Sequence, residues 1–383
     1  MPFALPHLVA GLIAVLVGYT SSVVLIIQAA TAAGADAAQV SSWLWTLGIG
    51  MGVSCIGLSL YYRIPVLTAW STPGAALLIT SLGNFSLAEA IGAFIISSLL
   101  ITLCGISGWF DRLMRHIPAP LAAAMLAGVL LRFGLDLFKV APQDPLLLGA
   151  SLLAFLLGRH LWPRYTMVLV LGAGMLLCTL RGELQLAEVH WQLSSPVWIS
   201  PTFSINALLG IALPLFLVTM TSQNMPGITI LRAHGYQPAT SSLIGWTGLT
   251  GLLLAPFGGY AFNLAAITAA ICMGKEVDPD TARRWPAAVW AGCFYLLTGC
   301  FGATVVALFS AFPTALVTCV AGLALLGTIG SSLHAAQQQD EEREAALLTF
   351  LITASGISLL GVSSACWGLL VGVALHQVNR LRA

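Results

Sequence analysis

Two short apolar stretches contain residues that can bind an anion without a charged side chain. Arg63 to Thr80 reads R-I-P-V-L-T-A-W-S-T-P-G-A-A-L-L-I-T, and Ala255 to Ile271 reads A-P-F-G-G-Y-A-F-N-L-A-A-I-T-A-A-I. Each has an extended-looking run, then a residue able to N-cap a helix (Thr72 or Asn263), then a small-residue apolar helix. Because a helix N-terminus carries unpaired N–H groups and a partial positive charge, each cap predicts an anion-binding position.

The composition indicates that a membrane surrounds these stretches. The chain is 58% hydrophobic and 8% charged, and its mean hydropathy is +0.94, whereas soluble domains carry about 25% charged residues. A net charge of +1 excludes a nucleic-acid partner, and near-continuous apolar runs exclude a β-barrel. The cysteines lack metal-ligand spacing, and no P-loop or catalytic His/Asp/Glu cluster occurs, so neither a metal, a cofactor nor an enzyme is predicted.

The apolar runs predict an all-α polytopic membrane protein of fourteen transmembrane segments. They are 8–31, 38–60, 63–81, 86–109, 118–138, 145–159, 164–180, 203–225, 239–254, 256–273, 285–309, 313–331, 343–360 and 364–380. With both termini cytoplasmic, twelve basic residues fall inside: Arg63, Arg112, Arg115, Arg159, Arg164, Arg232, Lys275, Arg283, Arg284, Arg343, Arg380 and Arg382. Lys139 and Arg181 fall outside, and Arg132 lies within a segment. This asymmetry predicts that both termini lie in the cytoplasm.

The halves resemble each other, since Pro65 matches Pro256 and Thr72 matches Asn263. This predicts two repeats of seven segments, at 1–181 and 200–383, joined by a linker from Arg181 to Pro201. An odd number of segments per repeat forces inverted topology, which points the helix starts of segments 3 and 10 at each other. The extended runs 64–71 and 257–262 are then expected to pair as antiparallel strands. The alternative is that the prolines only kink ordinary helices.

Segment 8 places polar side chains at membrane depth before Pro226, which is expected to end or kink the helix. Ser222, Gln223 and Asn224 either line a solute site or bond between helices. Tyr19 and Thr20 are their counterparts on segment 1. Three aromatic residues flank the predicted caps: Trp70, Tyr260 and Phe262. Their rings either contact a flat apolar anion or pack within the protein interior.

Three motifs resemble those of the benzoate:proton symporter (BenE-type) family. They are P-V-L-T-A-W-S-T-P-G-A-A-L-L from Pro65, S-Q-N-M-P-G from Ser222 and P-F-G-G-Y-A-F-N-L-A-A-I-T from Pro256, and the similarity covers essentially the whole chain. More distantly, the chain is similar to uracil permease-like and sulfate permeases. That resemblance implies a seven-plus-seven inverted fold with a core domain (1–116 and 200–310) and a gate domain (117–181 and 311–383). It also implies a rocking or elevator-like movement and a homodimer. We expect the gate domain to form the dimer contact.

The resemblance places substrate between the starts of segments 3 and 10, beside segments 1 and 8. The implied substrate-binding residues are Tyr19, Thr20, Ser71, Thr72, Pro73, Gly74, Gln223, Asn224, Tyr260, Phe262, Asn263 and Leu264. Nucleobase permeases carry a Glu at the position of Phe262 and another at Gln223 or Asn224. The loss of both carboxylates favours an anionic solute, which they would repel.

Proton coupling requires a titratable group, and three lie in or near the segments: Glu89, Asp136 and His376. Asp136 follows Arg132 by four residues, so an ion pair is expected, with a proton relay as the alternative. Glu89 lies in a first helical turn, where the dipole explains a carboxylate, and His376 is expected at the interface. Protonation of the carboxylate substrate itself is a further alternative.

The predicted function is proton-coupled import of benzoate or a similar aromatic carboxylate. Alternatives are a nucleobase or inorganic-anion transporter on the same fold, and a channel-like anion pathway. The predicted partners are the small-molecule acid, the proton, the lipid bilayer and a second copy of the chain.

Overall fold

The computed structural model describes residues 5–108, 118–184, 189–357, 359 and 364–382, so Arg112 and Arg115 lie outside it. The first half contains α1 (Leu5–Ala32), α2 (Ala37–Tyr62), β1 (Thr68–Trp70), α3 (Thr72–Ser81), α4 (Leu87–Ile106), α5 (Ala119–Phe138), α6 (Pro145–Leu161) and α7 (Thr166–Leu180). The second contains α8 (Ile205–Ala233), α9 (Thr240–Leu254), β2 (Phe262–Leu264), α10 (Ile267–Cys272), α11 (Trp285–Cys300), α12 (Gly302–Ser310), α13 (Thr314–Ala336), α14 (Arg343–Ser355) and α15 (Ser364–Arg382).

Side-chain caps fix where several helices begin. Asp36 and Gln39 form a capping box at α2, and Ser86 and Glu89 form another at α4. Asp144 accepts from the first turn of α6. Because these caps satisfy N–H groups that have no partner within the helix, they hold helix starts at the ends of the bundle.

Polar side chains of α2 satisfy the extended backbone before β1. The Ser59 hydroxyl accepts from Val66 N at 3.1 Å and donates to Val66 O at 3.0 Å. Thr68 N donates to Cys55 Sγ at 3.1 Å, and the Ser54 and Thr68 hydroxyls lie 2.6 Å apart. Non-helical backbone inside an apolar bundle needs such partners, so α2 makes the break in segment 3 possible.

The second break is held from the other end of α2. Ser42 and Thr46 hydroxyls donate to Phe257 O at 2.9 and 3.0 Å, and Gly258 turns the chain with φ +96°. The sequence predicted an extended run over 257–262, but the strand is Phe262–Leu264, because residues 255–257 form a 3₁₀ turn first. The expectation of two antiparallel strands is confirmed: β1 pairs with β2.

The strand register corrects the alignment of the two halves. Ala69 pairs with Asn263, Thr68 with Leu264 and Trp70 with Phe262. A twofold axis through the central pair exchanges the strands, and it relates Thr72 to Ala266, not to Asn263 as the sequence match suggested. Helix contacts obey the same exchange, since α2 packs along α11 and α4 packs along α9.

The largest helix contacts fall within two groups. The first group contains α1–α4 and α8–α12, where α2–α11, α4–α9 and α1–α11 are the main pairs. The second contains α5–α7 and α13–α15, where α13 and α14 both pack on α5. These groups follow the predicted core and gate ranges. Their assignment as moving units stays a prediction.

Among the described residues, six helices are long and apolar enough to cross a membrane, and seven if the pair α11–α12 forms one span. The count of fourteen spans therefore stays a prediction. The predicted segment 285–309 is bent by 66° between α11 and α12. The linker causes this break: Ser194 N donates to Cys300 O at 2.8 Å, and Ala303 N donates to Ser194 Oγ at 2.7 Å.

The described linker residues 189–204, which we call the strap, are extended and bound to the first helix group. Val197 N donates to Ser42 Oγ at 2.8 Å, Ile199 N to Pro256 O at 2.8 Å, and Thr202 N to Ala88 O at 2.9 Å. The strap therefore follows the surface of one group as part of it.

Candidate functional site

The start of α3 is capped by Ser71, one residue earlier than the sequence suggested. Ser71 Oγ accepts from Gly74 N at 3.0 Å, so Thr72 is the first helical residue and Pro73 the second. Thr72 cannot accept from that N–H because Ser71, with extended backbone, already occupies the cap position. The prediction of Thr72 as the N-cap is wrong, although the helix itself begins where expected.

This correction leaves Thr72 with unused donors. Gly74 N is bound by Ser71, Pro73 has no N–H, and Thr72 N and its hydroxyl make no hydrogen bond to a described residue. Thr72 is half-buried, whereas its three neighbours Ser71, Pro73 and Gly74 are buried. The positive end of the ten-residue α3 therefore carries one hydroxyl and one N–H to which no described residue is hydrogen-bonded.

Asn263 lies within β2 and caps no helix, which corrects the second predicted cap. It is fully buried, and its carboxamide donates to Ala69 O at 3.2 Å and accepts from Ser71 N at 3.3 Å in the orientation that satisfies both ends. Asn263 thus links both strands to the cap of α3. Its role is to position that helix start.

The start of α10, the second predicted anion position, is less suited to bind an anion than the start of α3. α10 has six residues, and Ala266 at its cap offers no side-chain acceptor. Ala265 N already donates to Leu67 O at 2.9 Å, and Leu264 N to Asn224 Oδ1 at 2.9 Å. The sequence predicted two equivalent positive helix starts facing each other. They are unequal, because Asn263, the polar residue of the second half, lies in β2 and not at the start of α10.

The polar side chains on α8 have two different roles. Asn224 is fully buried and holds Leu264, so its role is structural. Gln223 is half-buried, and its carboxamide makes no hydrogen bond to a described residue. The helix continues through Pro226 instead of ending there. A π turn over Met220–Asn224 precedes the proline, and this turn accommodates a residue that has no backbone N–H to donate.

The residues of α1 face β1. Trp70 Nε1 donates to Ser22 Oγ at 2.8 Å, and the Tyr19 and Trp70 rings meet edge-on at 4.8 Å. Tyr19 is buried, its hydroxyl makes no hydrogen bond of good geometry, and Thr20 is half-buried with its hydroxyl on Leu16 O at 2.7 Å. Since α1 also packs on α3 and α10, these side chains border both helix starts.

Two predicted aromatic contacts lie in the packed interior. Tyr260 is fully buried between Trp43 and Phe94, with ring centroids 5.9 and 5.7 Å away, and its hydroxyl donates to Ser71 O at 3.5 Å. Phe262 is 1% exposed. In this conformation both rings support the strand pair, as the packing alternative expected. Their contact with solute stays a prediction.

The proton candidates are engaged elsewhere. Glu89 caps its own helix through Ser86 N at 3.0 Å. Asp136 has the expected Arg132 partner at 3.9 Å, but Lys139 Nζ is closer to the carboxylate, at 2.7 Å. His376 Nδ1 lies 3.5 Å from Glu342 Oε1, an ion-pair geometry that the sequence did not reveal. None of these contacts reaches α3 or β2.

Solved structures of membrane proteins share this fold. The transmembrane domain of a cyanobacterial bicarbonate transporter, BicA, superposes with a TM-score of 0.61 at 11% identity, covering 96% of this chain and 97% of that one. SLC26A9 superposes with a TM-score of 0.60 at 13% identity, covering 97% of this chain and 65% of that one. These likenesses show the fold.

The family follows from sequence. A family model described as "Benzoate membrane transport protein" (BenE) matches residues 1–378, and the chain belongs to that family. It is 41% identical to the benzoate membrane transport protein of Acinetobacter baylyi, over 98% of this chain and 95% of the relative. It is 50% identical to the inner membrane protein YdcO of Escherichia coli K12, over 99% and 97%. The predicted family is confirmed.

Proposed function

We propose that the chain imports benzoate or a similar small aromatic carboxylate across the bacterial inner membrane, together with a proton. Membership of the benzoate transport family supports the solute class. The observation that carries the placement of the site is the start of α3, where Thr72 N and the Thr72 hydroxyl are free of described partners. A carboxylate there gains charge-assisted hydrogen bonds and the favourable end of the helix dipole.

The surroundings of this helix start suit a monoanion. The positions where nucleobase permeases carry Glu hold Phe262 and a Gln223–Asn224 pair, so no carboxylate repels the solute there. Gln223 has an uncommitted amide that can donate to the second carboxylate oxygen. Tyr19 and Trp70 supply apolar ring surface beside the helix. In this proposal the acid lies across the α3 start, between α1 and α8.

The mechanism in the proposal is alternating access by displacement of the first helix group against the second. Both strands and the cap of α3 move as one body because Asn263 joins them. The proton enters with the carboxylate, since Glu89 and Asp136 are committed to a cap and to two cations. The second group supplies the contact for a homodimer, and both termini lie in the cytoplasm.

Thr72 and Gln223 provide the test. In proteoliposomes with an inward proton gradient, we expect labelled benzoate to accumulate and unlabelled benzoate on the trans side to accelerate exchange. Thr72→Val removes one hydrogen bond to a charged group, which contributes about 1.5–3 kcal/mol, so its affinity should fall roughly 10- to 100-fold. Thr72→Ser is the matched control, because it keeps the hydroxyl and should transport nearly as well as the wild type.

Gln223→Glu adds a negative charge without changing shape, and it should abolish benzoate binding at neutral pH. Gln223→Leu should bind weakly, through loss of one donor only. Equal affinity of Gln223→Glu and the wild type would contradict the placement of the carboxylate. Flux without trans-acceleration would favour a channel, and displacement by nucleobases or bicarbonate but by no aromatic acid would favour the other solutes.

A further inference from the structure

A cavity of about 590 Å³ lies between the two helix groups, away from the α3 start. Its walls come from α1 and α3 on one side and from α5 and α13 on the other. The charged residues in it are Arg132, Asp136 and Lys139, and Phe133 and Ile79 provide apolar surface. We call it the Arg132 cavity. It borders the turn after α5, on the side that the distribution of basic residues places outside the cell.

A second cavity of about 340 Å³ adjoins the first and shares Thr80, Arg132 and Lys139 with it. The two cations therefore stand between two spaces and are reachable from both. Thr80 lies near the C-terminal end of α3, the same helix whose N-terminus carries Thr72. The cavities thus lie along the boundary over which the proposed solute site must open.

The charge in the Arg132 cavity is not balanced internally. Lys139 Nζ lies 2.7 Å from Asp136 Oδ1, while Arg132 Nε is 3.9 Å from Oδ2, so the carboxylate is committed mainly to the lysine. The Arg132 side chain is 73% exposed and keeps most of its guanidinium donors free. Two cations against one carboxylate leave a positive site with an available planar fork, which matches a carboxylate group.

Among the described residues, Arg181 is the other cation on the predicted outer side, and it is engaged elsewhere. Arg181 Nη1 lies 2.7 Å from Asp144 Oδ2 and 3.7 Å from Glu183 Oε1. Burial opposes ionisation of Asp144, yet the hydrogen bonds from Arg181 and Leu147 N hold its pKa below the ordinary value. With one guanidinium against two carboxylates, that cluster has no positive charge to spare for an anion. The attractive field at this end therefore comes from the Arg132 cavity.

We propose that the Arg132 cavity is a second binding site for aromatic carboxylates, which captures the anion before it reaches the α3 start. Arg132 pairs with the carboxylate, and Phe133 and Ile79 carry the ring. Because a cleft with a net positive charge raises the local concentration of anions, the site raises the rate of capture more than the rate of turnover. This inference rests on the proposed function for the identity of the anion.

The first test measures initial benzoate uptake by proteoliposomes at low and high ionic strength. Arg132→Gln should lower kcat/KM about tenfold at low salt with little change in kcat, and it should flatten the salt dependence. Arg132→Lys should keep most of the effect, and Asp136→Asn should raise kcat/KM. Arg159→Gln removes an exposed charge from α6 outside the cavity and should match the wild type.

The sign of the Asp136→Asn effect separates capture from a structural ion pair. If Arg132→Gln and Asp136→Asn lower kcat/KM alike, or if Arg132→Gln leaves it unchanged, the proposal is wrong. Melting temperatures of the variants identify any general loss of folding. A kcat that falls in proportion with kcat/KM would also contradict a role confined to capture.

The second test does not depend on transport. Binding of 4-fluorobenzoate to purified protein is followed by ¹⁹F NMR line broadening, with Gln223→Glu to disable the α3 site. The residual binding should be weak, salt-sensitive and lost in the Gln223→Glu, Arg132→Gln double variant. Absence of residual binding would overturn the second site while leaving the proposed function intact. Residual binding in this variant, together with no benzoate transport by the wild-type protein, would instead overturn the proposed function alone.

Discussion

Asn263 shows how one amide fixes the geometry on which the proposed site depends. It is fully buried, it bonds Ala69 O on the partner strand, and it accepts from Ser71 N at the cap of α3. A side chain with both a donor and an acceptor suits this point, because it contacts a backbone carbonyl of β1 and the backbone N–H of the cap residue at once. The residue therefore determines where α3 starts.

Replacement of Asn263 should accordingly act on folding before it acts on binding. Asn263→Leu leaves the buried N–H of Ser71 without its side-chain acceptor, at a cost of about 1–3 kcal/mol, and should lower the melting temperature clearly. Asn263→Asp removes the donor to Ala69 O and should also destabilise. Differential scanning fluorimetry in detergent measures both. Thr72→Val is the matched control, because Thr72 makes no hydrogen bond to a described residue, and wild-type stability of Asn263→Leu would refute the linking role.

Residue type alone does not resolve such roles. Ser71, Thr72 and Asn263 are all competent N-caps, and the sequence offered no way to tell that the first would cap and the third would enter a strand. In the same way Gln223 and Asn224 are neighbours of similar chemistry. The strand register separates them, since it brings Leu264 N to Asn224 and leaves Gln223 free.

At the scale of elements, the broken segments depend on close packing at glycine. Gly258 has φ +96°, and a Cβ placed there would lie 1.9 Å from Trp43 Cδ1. No rotation of the buried indole removes that clash without disturbing Phe94 and Tyr260, which contact the same ring. The turn before β2 is therefore fixed by the absence of a side chain.

Gly258→Ala should destabilise the protein by about 3 kcal/mol, as the sum of overpacking and left-handed backbone strain. The measurement is thermal unfolding, supported by the yield of monodisperse protein from membranes. Gly57→Ala on α2 is the matched control, because a Cβ there meets nothing within 4 Å, and it should be neutral or slightly stabilising. Similar losses in both variants would argue against the Trp43 contact as the cause.

The elements themselves were largely predictable, and their irregularities were not. Continuous apolar runs located the helices because the runs are long and bounded by Gly, Pro and charged residues. The bend between α11 and α12 depends on Ser194, more than a hundred residues earlier in the chain. The π turn before Pro226 depends on how α8 packs. Such long-range causes leave no local pattern.

At the scale of the whole molecule, the boundary between the helix groups is where transport would require movement. Thr80 on the first group and Gln143 on the second both line the Arg132 cavity. A bifunctional methanethiosulfonate that joins Thr80→Cys to Gln143→Cys through two disulfides should stop benzoate uptake, and a reductant that cleaves those disulfides should restore it. Gln28→Cys with Thr31→Cys, both on α1 in the same cavity, is the control pair and should keep most activity.

Binding distinguishes a locked protein from a blocked entrance. The cross-linked Thr80–Gln143 variant should still broaden the ¹⁹F signal of 4-fluorobenzoate while its transport is lost. Full transport by the cross-linked protein would contradict movement of the two groups. The background for this experiment replaces Cys293, the exposed cysteine among those described, with Ser.

The strap determines where the polypeptide passes from one helix group to the other. Its described hydrogen bonds go to α2, α4, α8, α12, the turn before β2 and the α11–α12 junction, so residues 189–204 belong to the first group. Covalent continuity between the groups is thereby reduced to three places: from α4 to α5, from α7 to the strap, and from α12 to α13. In the proposed mechanism, the reach of these three connections limits how far one group can be displaced against the other.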